Sequence, residues 1–155
     1  MKILLAIDGS SCSNVAVSAI VTRPWPPASE VKIISAVNPA IYIAPEPWIG
    51  DQNYSDEVVR VEYEQAEAAV REAKSEFDKS DNTTLKVTTD VIQGSARQVI
   101  VEEAEKWGAD LIVLGSHGYS TWNRLLLGSV SRAVAIHAPC SVEIARCRPV
   151  GASKS

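Results

Sequence analysis

Positive charge is sparse in this sequence and nowhere clustered: 15 lysines and arginines face 19 acids, for a net charge of −4. Without a basic block, a nucleic-acid surface is not expected. In the stretch Met1–Asp8 one basic residue, Lys2, is followed by only five apolar ones before an acid. That is too short for a secretory core or a membrane span, so a cytoplasmic protein is expected, with no membrane partner. Cysteine is scarce as well. Cys12, Cys140 and Cys147 are odd in number and show no CxxC or Cys/His spacing, so free buried thiols are expected rather than a zinc site or a disulfide framework. The chain lacks GxxxxGK[ST] and GxGxxG, which excludes a Walker-type motor and gives no support to a dinucleotide dehydrogenase. It also lacks the G-x-S-x-G elbow of serine hydrolases. No internal repeat or low-complexity tract occurs.

What is present is an ordinary globular balance, with 46% hydrophobic and 22% charged residues in 155 positions. A chain of this length buries roughly 70% of its unfolded surface as one domain and needs no staple. Apolar runs of strand length alternate with segments of helical period, the pattern of βαβ units around a parallel sheet. The expected fold is α/β: a single domain over 1–147 with an open five-stranded parallel sheet, helices on both faces, and a flexible tail over 148–155.

The strands read as Lys2–Asp8, Val31–Val37, Leu85–Ile92, Asp110–Leu114 and Ser141–Arg146. Ser10 and Ser11 supply a cap for a first helix carrying Val15, Ala16, Ala19 and Ile20 on one side. Val59, Tyr63, Ala66, Val70, Ala73 and Phe77 step by four and three along a second helix whose charges are solvated. Gly94 and Ser95 open a third helix bearing Val99, Ile100 and Trp107, which Gly108 closes. Ser129–His137 is a short fourth helix stopped before Pro139. Between the second strand and second helix, 38–56 is a proline- and aromatic-rich connection in which Trp48 and Tyr54 either form a lid or partner contact or pack over the sheet.

The most informative element follows the fourth strand: Gly115-Ser116-His117-Gly118, nine residues, then Gly128-Ser129-Val130-Ser131. A turn without Cβ atoms leads to a helix whose first amides have no intrahelical acceptor, and this arrangement suits an anion. Ligands of open parallel sheets sit beyond the carboxyl ends of strands, where strand order reverses. A planar base would slot between Asp8, Ala36, Val37, Leu114 and Gly115, with polyphosphate extending toward Gly118, Gly128, Ser129 and Val130. Asp8 reads as a ligand contact or a helix cap, and Arg124 as a phosphate partner or a solvated arginine, with Leu125, Leu126 and Leu127 anchoring that loop inward. Protonated His117 would place a cation beside phosphate, whereas His137 reads as a capping or packing residue; neither is expected to be catalytic.

Taken together, Asp8 after the first strand, Gly115-x2-Gly118-x9-Gly128-Ser129, and His137-Ala138-Pro139-Cys140 resemble the universal stress protein family over about Met1 to Cys147. The resemblance implies a Rossmann-like fold of the adenine nucleotide α-hydrolase type and the family's ATP-binding branch. It implies Ala6, Ile7, Asp8, Ala36 and Leu114 around adenine, Gly115 and Gly118 along ribose and phosphate, and Gly128, Ser129 and Val130 on the phosphates. Magnesium or manganese would be held mainly through the nucleotide. The resemblance further implies a regulatory homodimer in the stress response, joined through strand 141–146, although Glu143 stands where the family usually has an apolar residue. The alternatives are a nucleotide-independent dimeric interaction module and a weak ATPase or adenylyl-transfer enzyme, whose SGGxDS-type loop is replaced here by Asp8-Gly9-Ser10-Ser11.

Overall fold

The computed structural model describes residues 1–38, 52–80, 85–118 and 127–147. Nine elements alternate along the described chain: β1 (Lys2–Ala6), α1 (Ser11–Val21), β2 (Glu30–Val37), α2 (Gln52–Lys79), β3 (Lys86–Gln93), α3 (Ala96–Trp107), β4 (Leu111–Gly115), α4 (Ser129–His137) and β5 (Ser141–Ala145). All strands are parallel, in the order β3-β2-β1-β4-β5. The five-stranded parallel α/β sheet expected from the sequence is therefore the fold.

Side-chain alternation along each strand assigns the two faces. Ile3, Leu5, Val31, Ile33, Leu111 and Val113 point to one side, where they meet Ala16, Val17 and Ile20 of α1 and Val70, Ala73 and Phe77 of α2. Leu4, Ala6, Ile34, Ile112 and Leu114 point to the other, against Val99, Ile100 and Ala104 of α3 and Val134 of α4. Both faces are covered, which is why β1 and β4 read as unbroken apolar runs. Each fully buried Ile or Leu contributes about 1.5–3 kcal/mol of transfer free energy.

Several boundaries and faces differ from expectation. β1 stops at Ala6 instead of Asp8: the Ile7 amide still donates to the Ile34 carbonyl oxygen at 2.9 Å, but the β4 register ends with Ala6 opposite Leu114. α1 buries Cys12, Ser13, Ala16, Val17 and Ile20, while Val15 is exposed. Ser13 is accommodated because its amide and hydroxyl both bond to Ser10, the N-cap, at 3.3 and 2.9 Å. α2 begins at Gln52, so the connection after β2 ends at 51 instead of 56. Trp48, Asn123 to Leu126 and the tail 148–155 lie outside the described residues. Gly108 adopts the left-handed conformation (φ 69°) and ends α3 as expected.

At the β5 edge, Glu143 forms a two-pronged ion pair with Arg23, at 2.7 and 2.8 Å, and Arg23 lies 5.1 Å from the centre of the Trp25 ring. Hydrogen bonding from Arg23 holds the Glu143 carboxyl below its ordinary value; burial opposes this and attraction to the same guanidinium adds to it. A depressed carboxylate stabilises the fold above its unfolded pKa, and that stability is lost as pH falls through the folded value. Both partners are well exposed, so the effect is small. Glu143→Gln should cost about 0.5 kcal/mol in urea unfolding at neutral pH and nothing once the pH lies below the depressed folded value, where the carboxyl is protonated in both states. Equal destabilisation at both pH values would show that shape, not charge, matters there.

Candidate functional site

β1 and β4 are neighbours, yet their chains leave in opposite directions, β1 through α1 under one face and β4 through α4 over the other. Their carboxyl ends therefore part and leave a crevice, the usual ligand position of open parallel sheets. Asp8 occupies its rim. Its carboxylate accepts the Ser10 amide at 3.0 Å, which shapes the turn, and Ser10 caps α1 in its stead.

Close approach of backbone shapes this end at Gly115 and Gly128, and of a side chain at Gly118. A Cβ on Gly115 would stand 2.7 Å from the Cys12 carbonyl carbon and 2.8 Å from the Ser13 amide nitrogen, so the end of β4 lies directly on the first turn of α1. A Cβ on Gly118 would stand 2.5 Å from Asp8 Oδ2, and one on Gly128 3.1 Å from the Ser116 carbonyl oxygen. Ser116 joins these pieces. Its amide donates to Ala145 at the end of β5 (2.8 Å), and its carbonyl accepts the Gly128 amide (2.9 Å) and the Ser131 hydroxyl (3.1 Å). The same Ser131 hydroxyl reaches the Gly115 carbonyl oxygen at 2.8 Å. α4 is thereby moored with its amino end over the crevice.

The resulting hollow is a cavity of about 120 Å³ that opens to solvent. Ala6 lines it from β1, Ile7 and Asp8 from the segment that follows, Ala36 from β2, Leu114, Gly115 and Gly118 from β4 and its loop, and Val130 from α4. Sequence reasoning had named all eight. It had also named Val37, Gly128 and Ser129, which fall outside the lining: Val37 is buried in the core, Gly128 is buried with its amide given to Ser116, and Ser129 is exposed. His117, read from the sequence as a neighbour of the phosphate, lines the hollow too, and the residues missed as pocket walls are Ser13, Ile34, Ala96, Ile100 and Ser131. Ile34 carried a signal, because it lies two residues before Ala36 on the same strand face. Ser13 and Ser131 carried none that an apolar pattern could show. The walls are chiefly apolar, with polar groups gathered at the Asp8–His117–Ser131 end.

The histidines part company. His117 lines the hollow, its Nδ1 3.1 Å from the Ser116 hydroxyl, whereas His137 is an exposed residue of the last turn of α4, where a cation suits the helix dipole. The expectation of three free thiols is corrected. Cys12 and Cys147 form a disulfide, Cα atoms 4.8 Å apart across 135 residues of chain, and Cys140 alone is free. Spacing could not reveal this pair, because contact arises only when α1 packs beneath β4 and β5. Burial, then the Asp110 carboxylate, push the Cys140 thiol above its ordinary value, partly offset by a backbone hydrogen bond at Ile112. No helix among the described residues is long and apolar enough to cross a membrane.

Comparison with known proteins places the chain beside others of this architecture. The model of the universal stress protein family matches residues 1–146. A universal stress protein of Methanocaldococcus jannaschii is 30% identical over 145 residues, covering 94% of this chain and 81% of the relative. The solved structure of UspA from Lactobacillus plantarum superposes with a TM-score of 0.78 at 25% identity, covering 94% of this chain and 97% of that one. A family protein from Arabidopsis thaliana, solved with AMP bound, superposes with a TM-score of 0.69 at 12% identity, covering 100% of this chain and 97% of that one.

Proposed function

Since this chain belongs to the universal stress protein family, we propose that it is an adenine-nucleotide-binding regulatory member, with ATP as ligand. The observation that carries the reading is the hollow itself, a crevice with apolar walls and a polar end at the point where the strand order reverses. Adenine lies between Ala6, Ile7, Ala36 and Leu114, and the ribose passes Asp8 and Gly115. The phosphates leave along Gly118 toward the amino end of α4, where Val130 and its neighbours offer amides without intrahelical acceptors and the positive end of the helix dipole. Gly128 and Ser129 serve the phosphates from the rim, Gly128 chiefly by fixing where α4 starts. The AMP in the Arabidopsis relative supports the choice of base.

Magnesium or manganese is held through the phosphates. The described lining contains no lysine or arginine, so little would favour a phosphoryl transition state over bound ATP, and binding rather than turnover is the role. Among the described residues β5 is an edge strand with an open ladder side, and a homodimer forms along it. Calorimetric titration with ATP and AMP tests the reading. ATP at a hundred times its Kd should stabilise the protein by about 2.7 kcal/mol, seen as a rise in Tm. Absence of both heat and thermal shift would leave an interaction module whose glycines only make turns.

A further inference from the structure

The Cys12–Cys147 disulfide is not required by the core, which closes in two apolar layers without it. It does sit where the candidate site is most tightly built. Cys12 is 3% exposed in the first turn of α1, and its carbonyl carbon would meet a Cβ on Gly115 at 2.7 Å. Ser13, next in sequence, lines the hollow. The Ser116 hydroxyl lies 3.8 Å from Cys12 Sγ, while the Ser116 amide holds Ala145, two residues before Cys147. The crosslink thus ties the end of β5 to the same turn that supports the floor of the hollow.

We infer that Cys12 and Cys147 are a thiol–disulfide switch that sets the rigidity of this floor and thereby the nucleotide affinity. The nucleotide readout rests on the function proposed above; the switch itself does not. The co-reactant is a dithiol reductant. One of its thiolates attacks Sγ of Cys147, the more accessible sulfur, forming a mixed disulfide and releasing Cys12 as thiolate. The second thiolate of the reductant then attacks the mixed disulfide at its own sulfur, freeing Cys147 and leaving the reductant as a disulfide. Two electrons pass to the protein sulfurs, and each thiolate takes a proton from water. Reoxidation by a disulfide reagent runs the same steps in reverse. In the oxidised form the floor is pre-organised, so ordering it on binding costs less.

The test uses the full chain and ATP. Alkylation and intact mass should count one thiol, Cys140, in the oxidised protein and three after reduction, in keeping with one disulfide and one free cysteine. Reduction should weaken ATP binding by about fivefold. Cys147→Ser should bind like the reduced protein whatever the redox state, and Cys140→Ser should respond like the wild type. Equal ATP affinity of the two redox forms, or recovery only of mixed disulfides with the oxidant, overturns the switch. If neither form binds ATP, the nucleotide reading fails on its own, and amide hydrogen exchange decides the switch. Reduction should then speed exchange at Ser116 and in the first turn of α1, and identical exchange in both forms overturns it.

Discussion

Gly115→Ala should destabilise the protein more than alanine at any other glycine near the site. The added Cβ meets backbone: 2.7 Å to the Cys12 carbonyl carbon and 2.8 Å to the Ser13 nitrogen, with the Cys12 Cβ at 3.0 Å. None of these atoms can rotate away, so relief requires α1 to lift from the sheet, and α1 contributes Ala16, Val17 and Ile20 to the core. Overpacking of this kind costs about 2–3 kcal/mol, or about 5–10 °C in Tm for a domain of this size. Gly108→Ala is the informative control. Gly108 has φ 69° and nothing within 4 Å of its Cβ position, so it loses only the left-handed preference, about 1 kcal/mol. If Gly108→Ala proves the more damaging of the two in thermal unfolding, the close approach of β4 to α1 is wrong.

Ala36→Trp should remove ATP binding while leaving a folded protein. Ala36 is half-buried near the end of β2 and borders the hollow, so an indole there occupies the space assigned to adenine. Affinity should fall by on the order of a hundredfold, about 2.7 kcal/mol, read by calorimetry beside a circular dichroism spectrum that does not change. Gly118→Ala is the milder probe. Its Cβ would crowd only Asp8 Oδ2, the end of an exposed side chain that can swing aside, so stability should stay within about 0.5 kcal/mol while ATP affinity drops about tenfold. Gly128→Ala is less clean, because its Cβ would press on the backbone of Ser116 and His117 at 3.1 and 3.4 Å and shift the start of α4. Undiminished affinity in both Ala36→Trp and Gly118→Ala would remove the hollow from consideration as the nucleotide site.

The sheet was legible because parallel strands buried on both faces are continuous apolar runs, and Asp110 to Leu114 could scarcely be read otherwise. α4 was legible to the residue, since Gly128 and Pro139 punctuate it from both sides. α1 was half-read. Counting apolar positions placed Val15 inward, but the buried stripe runs through Ser13 and Cys12, small polar residues satisfied by local hydrogen bonds and by the disulfide. The same blindness hid Ser131, whose hydroxyl bonds two carbonyls of the β4 loop. Pocket walls on α3, Ala96 and Ile100, carried no motif, because they become neighbours of Ala6 and Leu114 only once α3 docks on the sheet. Pairings that depend on which helix crosses beneath which strand leave no trace in spacing.

The partition of each strand between two helix layers has an evolutionary corollary. Apart from Ile7 and the first turn of α1, the hollow is walled from the α3–α4 side, so Ile33, Val70 and Phe77 are free to drift under selection for durability alone. Ile34 and Ile100, one pleat away, answer to a second master. Divergent descendants of this chain should therefore vary in the hidden half first, and a laboratory library confined to that half can raise melting temperature without retuning recognition.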